Sequence, residues 1–340
     1  MLRLHLGLLM QGMIICLATP NGFPLKRTRS YPFARIYNTY YLPKKVTIIP
    51  IIKDEGIGGD NDLINFITLS WMNLVNVYVV LAWYDSAVIH RSRSDKITGQ
   101  LMSVEYIRER LWEITRYQQS ALHWNKMHFV RDFEQVMNRA VESYEQVSAK
   151  LSVDMHAFDA HLRFLDELRD DDIFSLDRFR QVTLPRSYRA AQREIVTDHS
   201  LEVLDDGYKG YFSIENRLGG EYHLTADEIH YQDQTIIIQE SKNSSKDPLP
   251  KIADIKDGLF KLILFSNMNS LYLGDEPIEF IVRLKLTGKL KSTISLPTDE
   301  QSLELFVAVN SLSNTNKQLL IQLNLEASEN PKLNILIGPN

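Results

Sequence analysis

Three residues in the C-terminal half, Asp227, Glu240 and Lys242, have the types and spacing for metal-assisted phosphodiester chemistry. Thr235 to Ile238 is a β-branched run, and Gln232-Asp233-Gln234 is the reversal before it, so Tyr222 to Asn243 reads as two strands and a tight polar turn. With Asp233 and Gln234 at the tip, Gln232 pairs with Thr235, and counting outward sets Asp227 opposite Glu240. Directly opposed residues share a face, and the two-residue period adds Lys242 to it. Magnesium is a hard ion usually held by one or two carboxylates, with its other positions kept for water and phosphate oxygens. Asp227 and Glu240 are the candidate ligands. The metal would polarise a phosphoryl oxygen and lower the pKa of a bound water, while Lys242 would orient that water or offset charge on the phosphorus. A register slip of one residue would put Glu228 in place of Asp227.

The pattern is loose, but it occurs once: Glu240 to Lys242 is the only Glu-x-Lys of the chain. The single Asp-x-Lys, Asp254 to Lys256, lies in a helical pattern, where residues two apart do not share a face. The plain alternative is a solvated Glu and Lys at an ordinary strand end, because charged side chains are mostly exposed.

These residues resemble the motif of the PD-(D/E)XK nuclease superfamily, which includes many type II restriction endonucleases. The matching residues are Asp227 within Thr225-Ala226-Asp227, with alanine where the family usually has proline, and Glu240-Ser241-Lys242 closing an apolar strand. The elements beyond Lys242 also come in the family's core order. A loop flanked by Pro248 and Pro250 leads to a helix from about Lys251, with Ile252, Ile255, Leu259 and Leu262 on one face, and then to a strand from Ile278 to Leu286. The resemblance extends from about Tyr208 to Gly288. It implies an α/β fold with a restriction-endonuclease-like mixed sheet flanked by helices, Mg2+ as cofactor and double-stranded DNA as substrate. It also implies an additional acidic residue, Glu215, on a helix-like run from Tyr211 to Leu218, for a second metal position. A sequence-specific enzyme of this kind would work as a homodimer in the cytoplasm beside a DNA methyltransferase encoded nearby. Two other readings stand next to it: a repair or junction nuclease, and a non-catalytic DNA-binding or interaction protein in which Glu240 and Lys242 merely pair.

Length and composition set the frame. The 340 residues suffice for two compact units or one domain with a large insertion. With 44% hydrophobic and 24% charged residues the chain belongs with globular proteins. The single cysteine, Cys16, excludes an internal disulfide framework and a thiolate zinc cluster. The net charge of -5 is unevenly spread, since residues 1–100 hold 11 Lys+Arg against 6 Asp+Glu, or +5, leaving -10 for the rest. An electropositive face on an acidic protein is compatible with that distribution. The expected divisions are an N-terminal α/β segment over 1–102, a helical region over 103–200, the nuclease-like core over 201–295, and C-terminal helices with a strand over 296–340.

Basic and aromatic residues interleave near the N-terminus. Lys26, Arg27, Arg29, Arg35, Lys44 and Lys45 alternate with Tyr31, Phe33, Tyr37, Tyr40 and Tyr41, a mixture suited to phosphates and bases and equally to packing. Before it, Met13 to Leu17 reads as a buried strand in preference to an export signal. Leu63 to Tyr84 carries no charge until Asp85, yet its Asn, Thr and Ser residues favour a buried helix and a central strand over a membrane span. Gly58-Gly59-Asp60-Asn61-Asp62 lacks the offsets of a calcium loop and reads as a turn. Ser103 caps a helix with Val104, Ile107, Leu111 and Ile114 on its apolar face, and Phe129 to Leu151 continues the helical period. Arg169-Asp170-Asp171-Asp172 reads as a solvated loop, and Thr298 to Gln301 has capping-box spacing. No histidine pair has metal-ligand spacing, and there is no Walker loop, Gly-x-Ser-x-Gly or dinucleotide fingerprint.

Overall fold

The computed structural model describes residues 14–15, 44–64, 66–170, 173–183, 185, 208–215 and 221–340. The chain divides into two compact units. Among the described residues, the first comprises 14–15 and 44–185, and the second 208–215 and 221–340.

In the first unit, β1 (Ile14–Ile15), β2 (Lys45–Pro50) and β5 (Val77–Ala82) form a parallel sheet in the order β1-β2-β5. Two short antiparallel pairs accompany it, β3 (Ile52–Asp54) with β4 (Asn61–Leu63) and β6 (Tyr84–His90) with β7 (Arg93–Met102). The uncharged stretch becomes α1 (Phe66–Leu74) followed by β5, whose six residues are all buried, as a continuous apolar parallel strand requires. Among the described residues no helix is long and apolar enough to cross a membrane. In α2 (Val104–Arg116) the helical period delivers Ile107, Leu111 and Ile114 to the cluster of Val46, Ile48, Tyr78 and Val80, while Val104 stays exposed.

The strand β5 is not central, as its texture suggested. It ends the sheet, and the 31-residue α3 (Ala121–Leu151) closes its free edge with side chains. Asn125 Oδ1 accepts from Val79 N at 2.7 Å, and His128 Nε2 accepts from Leu81 N at 3.0 Å. Asn125 Nδ2 donates to Val77 O at 2.9 Å and Trp124 Nε1 to Val79 O at 2.8 Å. An open row of strand amides and carbonyls invites pairing with another chain, and here that row is satisfied internally. This packing also puts the expected 1–102 segment and the helical region in one unit. Beyond α3 come α4 (Phe158–Glu167) and α5 (176–183), with the two-residue strands β8 (Arg169–Asp170) and β9 (Ile173–Phe174) paired between them. Asp171 and Asp172 lie outside the described residues.

The second unit is built on one mixed sheet in the order β10-β11-β12-β14-β16-β15. Its members are β10 (Tyr208–Glu215), β11 (Glu221–Gln232), β12 (Thr235–Asn243), β14 (Glu276–Gly288), β15 (Ile294–Leu296) and β16 (Leu333–Pro339), and the short β13 (Leu271–Leu273) pairs with β14. The three strands β12, β14 and β16 run parallel, with α6 (Ile252–Ser266) connecting the first two. Ile255, Leu259 and Leu262 are buried on α6 as the spacing predicts, whereas Ile252 is exposed. The C-terminal segment is part of this unit, because α7 (Glu300–Val309) and α8 (Asn314–Glu329) lead into β16, which inserts between β14 and β15. The cap of α7 is Asp299, one residue after the expected Thr298, and its side chain accepts from Ser302 N at 2.8 Å.

One element differs in kind. Tyr211 to Glu215, expected to be helix-like, is extended and pairs residue by residue with β11 up to Glu215 opposite Glu221. The period is two: Phe212 and Ile214 are buried and Ser213 is exposed. Phe212 meets Phe265 of α6 edge-on at 4.8 Å between centroids, so tertiary packing decides this segment.

Candidate functional site

The site is built by the β11-β12 hairpin and α6. Asp233 and Gln234 at the hairpin tip both have positive φ, 50° and 60°, the backbone of a two-residue turn whose twist matches its flanking strands. Gln232 therefore pairs with Thr235, and the ladder continues to Glu228 opposite Gln239. There it stops. Asp227 Oδ2 accepts a hydrogen bond from Ser241 N at 3.3 Å in place of a further ladder pair. On the opposite edge of β11 the register shifts, with Tyr208 opposite Ile229 but Gly210 opposite Ala226. Asp227 and Glu228 thus both oppose the single residue Lys209, which is a β-bulge.

That bulge lies on the β10 side, and the regular alternation of β11 against β12 separates the two adjacent acids. Glu228 turns to the face of Gln239, where its carboxylate accepts from Gln239 Nε2 at 2.9 Å and Ser241 Oγ at 2.9 Å and lies 3.2 Å from His230 Nε2. It is committed there, and the slipped register is not adopted. Asp227 turns to the face of Glu240.

On that face four charges meet. Lys242 Nζ lies 3.5 Å from Glu240 Oε2 and 3.8 Å from Asp227 Oδ2. Lys261 Nζ, from α6, lies 2.7 Å from Glu240 Oε1 and 3.8 Å from Asp227 Oδ1. Each ammonium bridges one oxygen of each carboxylate. Glu240 is fully buried, and its two oxygens are held by these ion pairs without a well-aligned hydrogen bond. Burial pushes its pKa up to about 7, against the pull of Lys261, with Asp227 adding to the rise. Burial also acts to raise Asp227, but Lys261 and Lys242 outweigh it and hold that carboxyl below its ordinary range. Burial acts to lower Lys242, and the two carboxylates more than compensate, so its pKa is raised. Gly258 of α6 makes the room, because a Cβ there would stand 3.1 Å from Lys242 Cε and 3.1 Å from Leu284 Cδ1.

Asp227, Glu240 and Lys242 are thus brought together. Lys261 joins them without having been anticipated, although a signal was present: a lysine between the buried Phe260 and Leu262, in an apolar helix, is buried only with a partner. Glu215 is not brought in. It stands at the far end of β10, five residues beyond Gly210, roughly 17 Å along the strand at ordinary strand rise. Among the described residues no group of three or more His, Cys, Asp or Glu side chains forms a ligand set. Two carboxylates nevertheless fit magnesium, which needs no more than that from a protein, and the buried Glu240 oxygens lacking aligned donors beside Asp227 suit a hard cation.

Of the expected DNA-contacting residues, Lys26, Arg27, Arg29 and Arg35 lie outside the described residues. Lys44 has a structural task, since its ammonium donates to the carbonyls of Ile114, Thr115 and Tyr117 at 2.6, 3.0 and 2.7 Å and so caps the C-terminal end of α2. These bonds take all three of its donors, which overturns the expectation of a phosphate contact. Lys45 opens β2 opposite Val77 and Ile14.

A second arrangement, in the first unit, has the look of an acid-base pair but not the chemistry. His128 Nδ1 is 2.6 Å from Asp132 Oδ2, but Nε2 already accepts from Leu81 N. The proton therefore sits on Nδ1, and burial keeps the ring's pKa below its ordinary value. Asp54, fully buried, likewise holds Gly56 N and His156.

Comparison with protein-family models, with curated proteins and with solved structures found no match.

Proposed function

We propose that the second unit is the catalytic core of a magnesium-dependent endodeoxyribonuclease acting on duplex DNA, on a restriction-endonuclease-like fold. The observation that supports this reading is the convergence of Asp227, Glu240 and Lys242 on one sheet face at the bulged end of the hairpin, with Glu240 buried. Asp227 and Glu240 would hold the ion. When bound, magnesium supplies Lewis-acid polarisation of a phosphoryl oxygen and lowers the pKa of a water. Lys242 contributes a point charge beside both carboxylates, placed to orient the attacking water and to offset charge developing on the phosphorus. Gly258 leaves room for its stem under α6. Sequence-specific cleavage by a homodimer in the cytoplasm, with a cognate methyltransferase protecting host DNA, is the form of this activity that the motif favours.

The test is incubation of wild-type protein and of Asp227→Ala, Glu240→Ala and Lys242→Ala with mixed-sequence plasmid and phage DNA, in magnesium or in EDTA. Discrete fragments from wild type alone, and only with magnesium, are expected, with a loss of at least about a hundredfold in each variant. One observation favours a second reading: two carboxylates and two ammonium groups balance each other without any metal. A non-catalytic DNA-binding or interaction protein would use the cluster as a neutral structural joint. It predicts intact DNA in every lane and no calorimetric heat on adding magnesium.

A further inference from the structure

Ser241, between Glu240 and Lys242, has no part in the chemistry proposed above, yet it is tied to β11 on both faces of the sheet. Its backbone N–H donates to Asp227 Oδ2 at 3.3 Å on the face of the charged cluster. Its hydroxyl points to the opposite face and donates to Glu228 Oε1 at 2.9 Å. Two adjacent acids of β11 thus grip one residue of β12 from two sides. The backbone ladder of these strands has ended one pair earlier, at Glu228 opposite Gln239, and side chains take over at Ser241.

The hydroxyl closes a ring of three side chains. Gln239 Nε2 donates to Glu228 Oε2 at 2.9 Å and to Ser241 Oγ at 3.3 Å, while Ser241 Oγ gives its single hydrogen to Glu228 Oε1. The directions are fixed, because an ionised carboxylate only accepts and the hydroxyl must therefore donate to it and accept from the amide. His230 Nε2 stands just outside the ring, 3.2 Å from Glu228 Oε2. Glu228 and Gln239 are both buried, and hydrogen bonds to a charged acceptor are the strong ones. The two oxygens of Glu228 hold Gln239 and Ser241, the residues on either side of Glu240. The ring therefore fixes the β12 backbone that carries Glu240 against the β11 backbone that carries Asp227.

We propose that Ser241, together with Glu228 and Gln239, is a rear brace for the reacting groups. These three are positioning residues: from the far face of the sheet they set the spacing of Asp227 and Glu240 across the two strands. Ligands of one ion must be held to within about 0.5 Å, and neighbours that lock them are what achieves this. The middle position of Glu240-Ser241-Lys242 thus has a requirement of its own, a small hydroxyl. This rests on the metal-binding and cleavage reading of the same two carboxylates.

The experiment uses the full chain, with Ser241→Ala, Ser241→Thr and Glu228→Gln, at a temperature where denaturant melts show every protein folded. Magnesium affinity is read by calorimetry, and kcat and KM by cleavage of plasmid DNA. Ser241→Ala and Glu228→Gln are each expected to lower kcat by roughly ten- to a hundredfold and to weaken magnesium binding, with KM for DNA unchanged. Ser241→Thr keeps the hydroxyl and is expected to keep most of the rate. If Ser241→Ala does not fold, Ser241→Cys takes its place, since a thiol has nearly the same shape but donates weakly. A ring that serves stability alone leaves kcat and magnesium affinity of the folded variants at wild-type values, and that result overturns the brace while the metal site survives. If wild type neither binds magnesium nor cleaves DNA, the reading of the site falls, and this inference with it.

Discussion

Glu240 is where the sequence and the fold disagree most about a single residue. By composition it is one acid in an acidic chain; in the fold it is wholly buried, with its pKa pushed up to about 7 from 4.5. A carboxyl raised in this way keeps a proton that the unfolded chain releases. Its contribution to stability is fully present below about pH 4.5 and is lost as the pH climbs through about 7. In EDTA, wild type should therefore lose up to about 3 kcal/mol relative to Glu240→Gln between pH 5 and pH 8, read from denaturant midpoints at the two values. Parallel behaviour of the two proteins would show that the carboxyl is ionised throughout. Gly258 offers a second residue-level prediction. Gly258→Ala sets a methyl 3.1 Å from the Lys242 stem, and DNA cleavage should fall while magnesium affinity, measured by calorimetry, holds. The three motif residues were legible because strand period and a two-residue turn fix faces without knowledge of the fold. Lys261 was not, since its partners lie 21 and 34 residues earlier, and only the packing of α6 on β12 brings them together.

At the scale of elements, the hairpin turn and the sheet edge carry the sharpest expectations. Asp233 and Gln234 occupy a left-handed backbone that side-chain-bearing residues adopt at a cost. Gln234→Gly should therefore stabilise the protein by about 1 kcal/mol, measured by chemical denaturation, without moving the register that sets Asp227 against Glu240. In the first unit, Asn125→Ala strips both Val79 N and Val77 O of their partner. Buried unpaired groups of this kind cost about 1–3 kcal/mol each, so a loss of a few kcal/mol is expected in thermal or denaturant melts. Helices α2, α3 and α6 and strands β5, β12 and β14 were legible because their apolar periods run long. β10 was misread because its run is short and polar residues interrupt it, and its pairing with β11 is a long-range fact. Nor could α3's task be read, since asparagine and histidine within a helix do not announce that they serve a strand.

At the scale of the whole molecule, every residue of the candidate site belongs to the second unit, between Asp227 and Lys261. The resemblance to a nuclease motif was legible on those residues, whereas the division of the chain was legible only in part: the described residues of the two units lie on either side of the break expected at 200, but the breaks expected near 102 and 295 fall inside units. Within the region that looks like an insertion, α3 closes the edge of the N-terminal sheet and α2 packs into its core. A ligand confined to one unit stabilises that unit by mass action. Magnesium at a hundred times its dissociation constant should add about 2.7 kcal/mol to the second unit's unfolding. Asp227→Asn and Glu240→Gln should each abolish that gain in calorimetric melts, and Asn125→Ala should leave it intact.

The regular ladder between β11 and β12 also bears on how such chains are compared. Alternation counted from the two-residue turn decides which of two neighbouring acids faces Glu240, so the strand carries its carboxylates as a reading frame. Insertion or loss of a single residue between the turn and the acids exchanges their faces, whereas a point substitution only deletes one. Chains that share this site but differ in that count would align here only through a gap. A linear motif that counts spacing without gaps would pass them by.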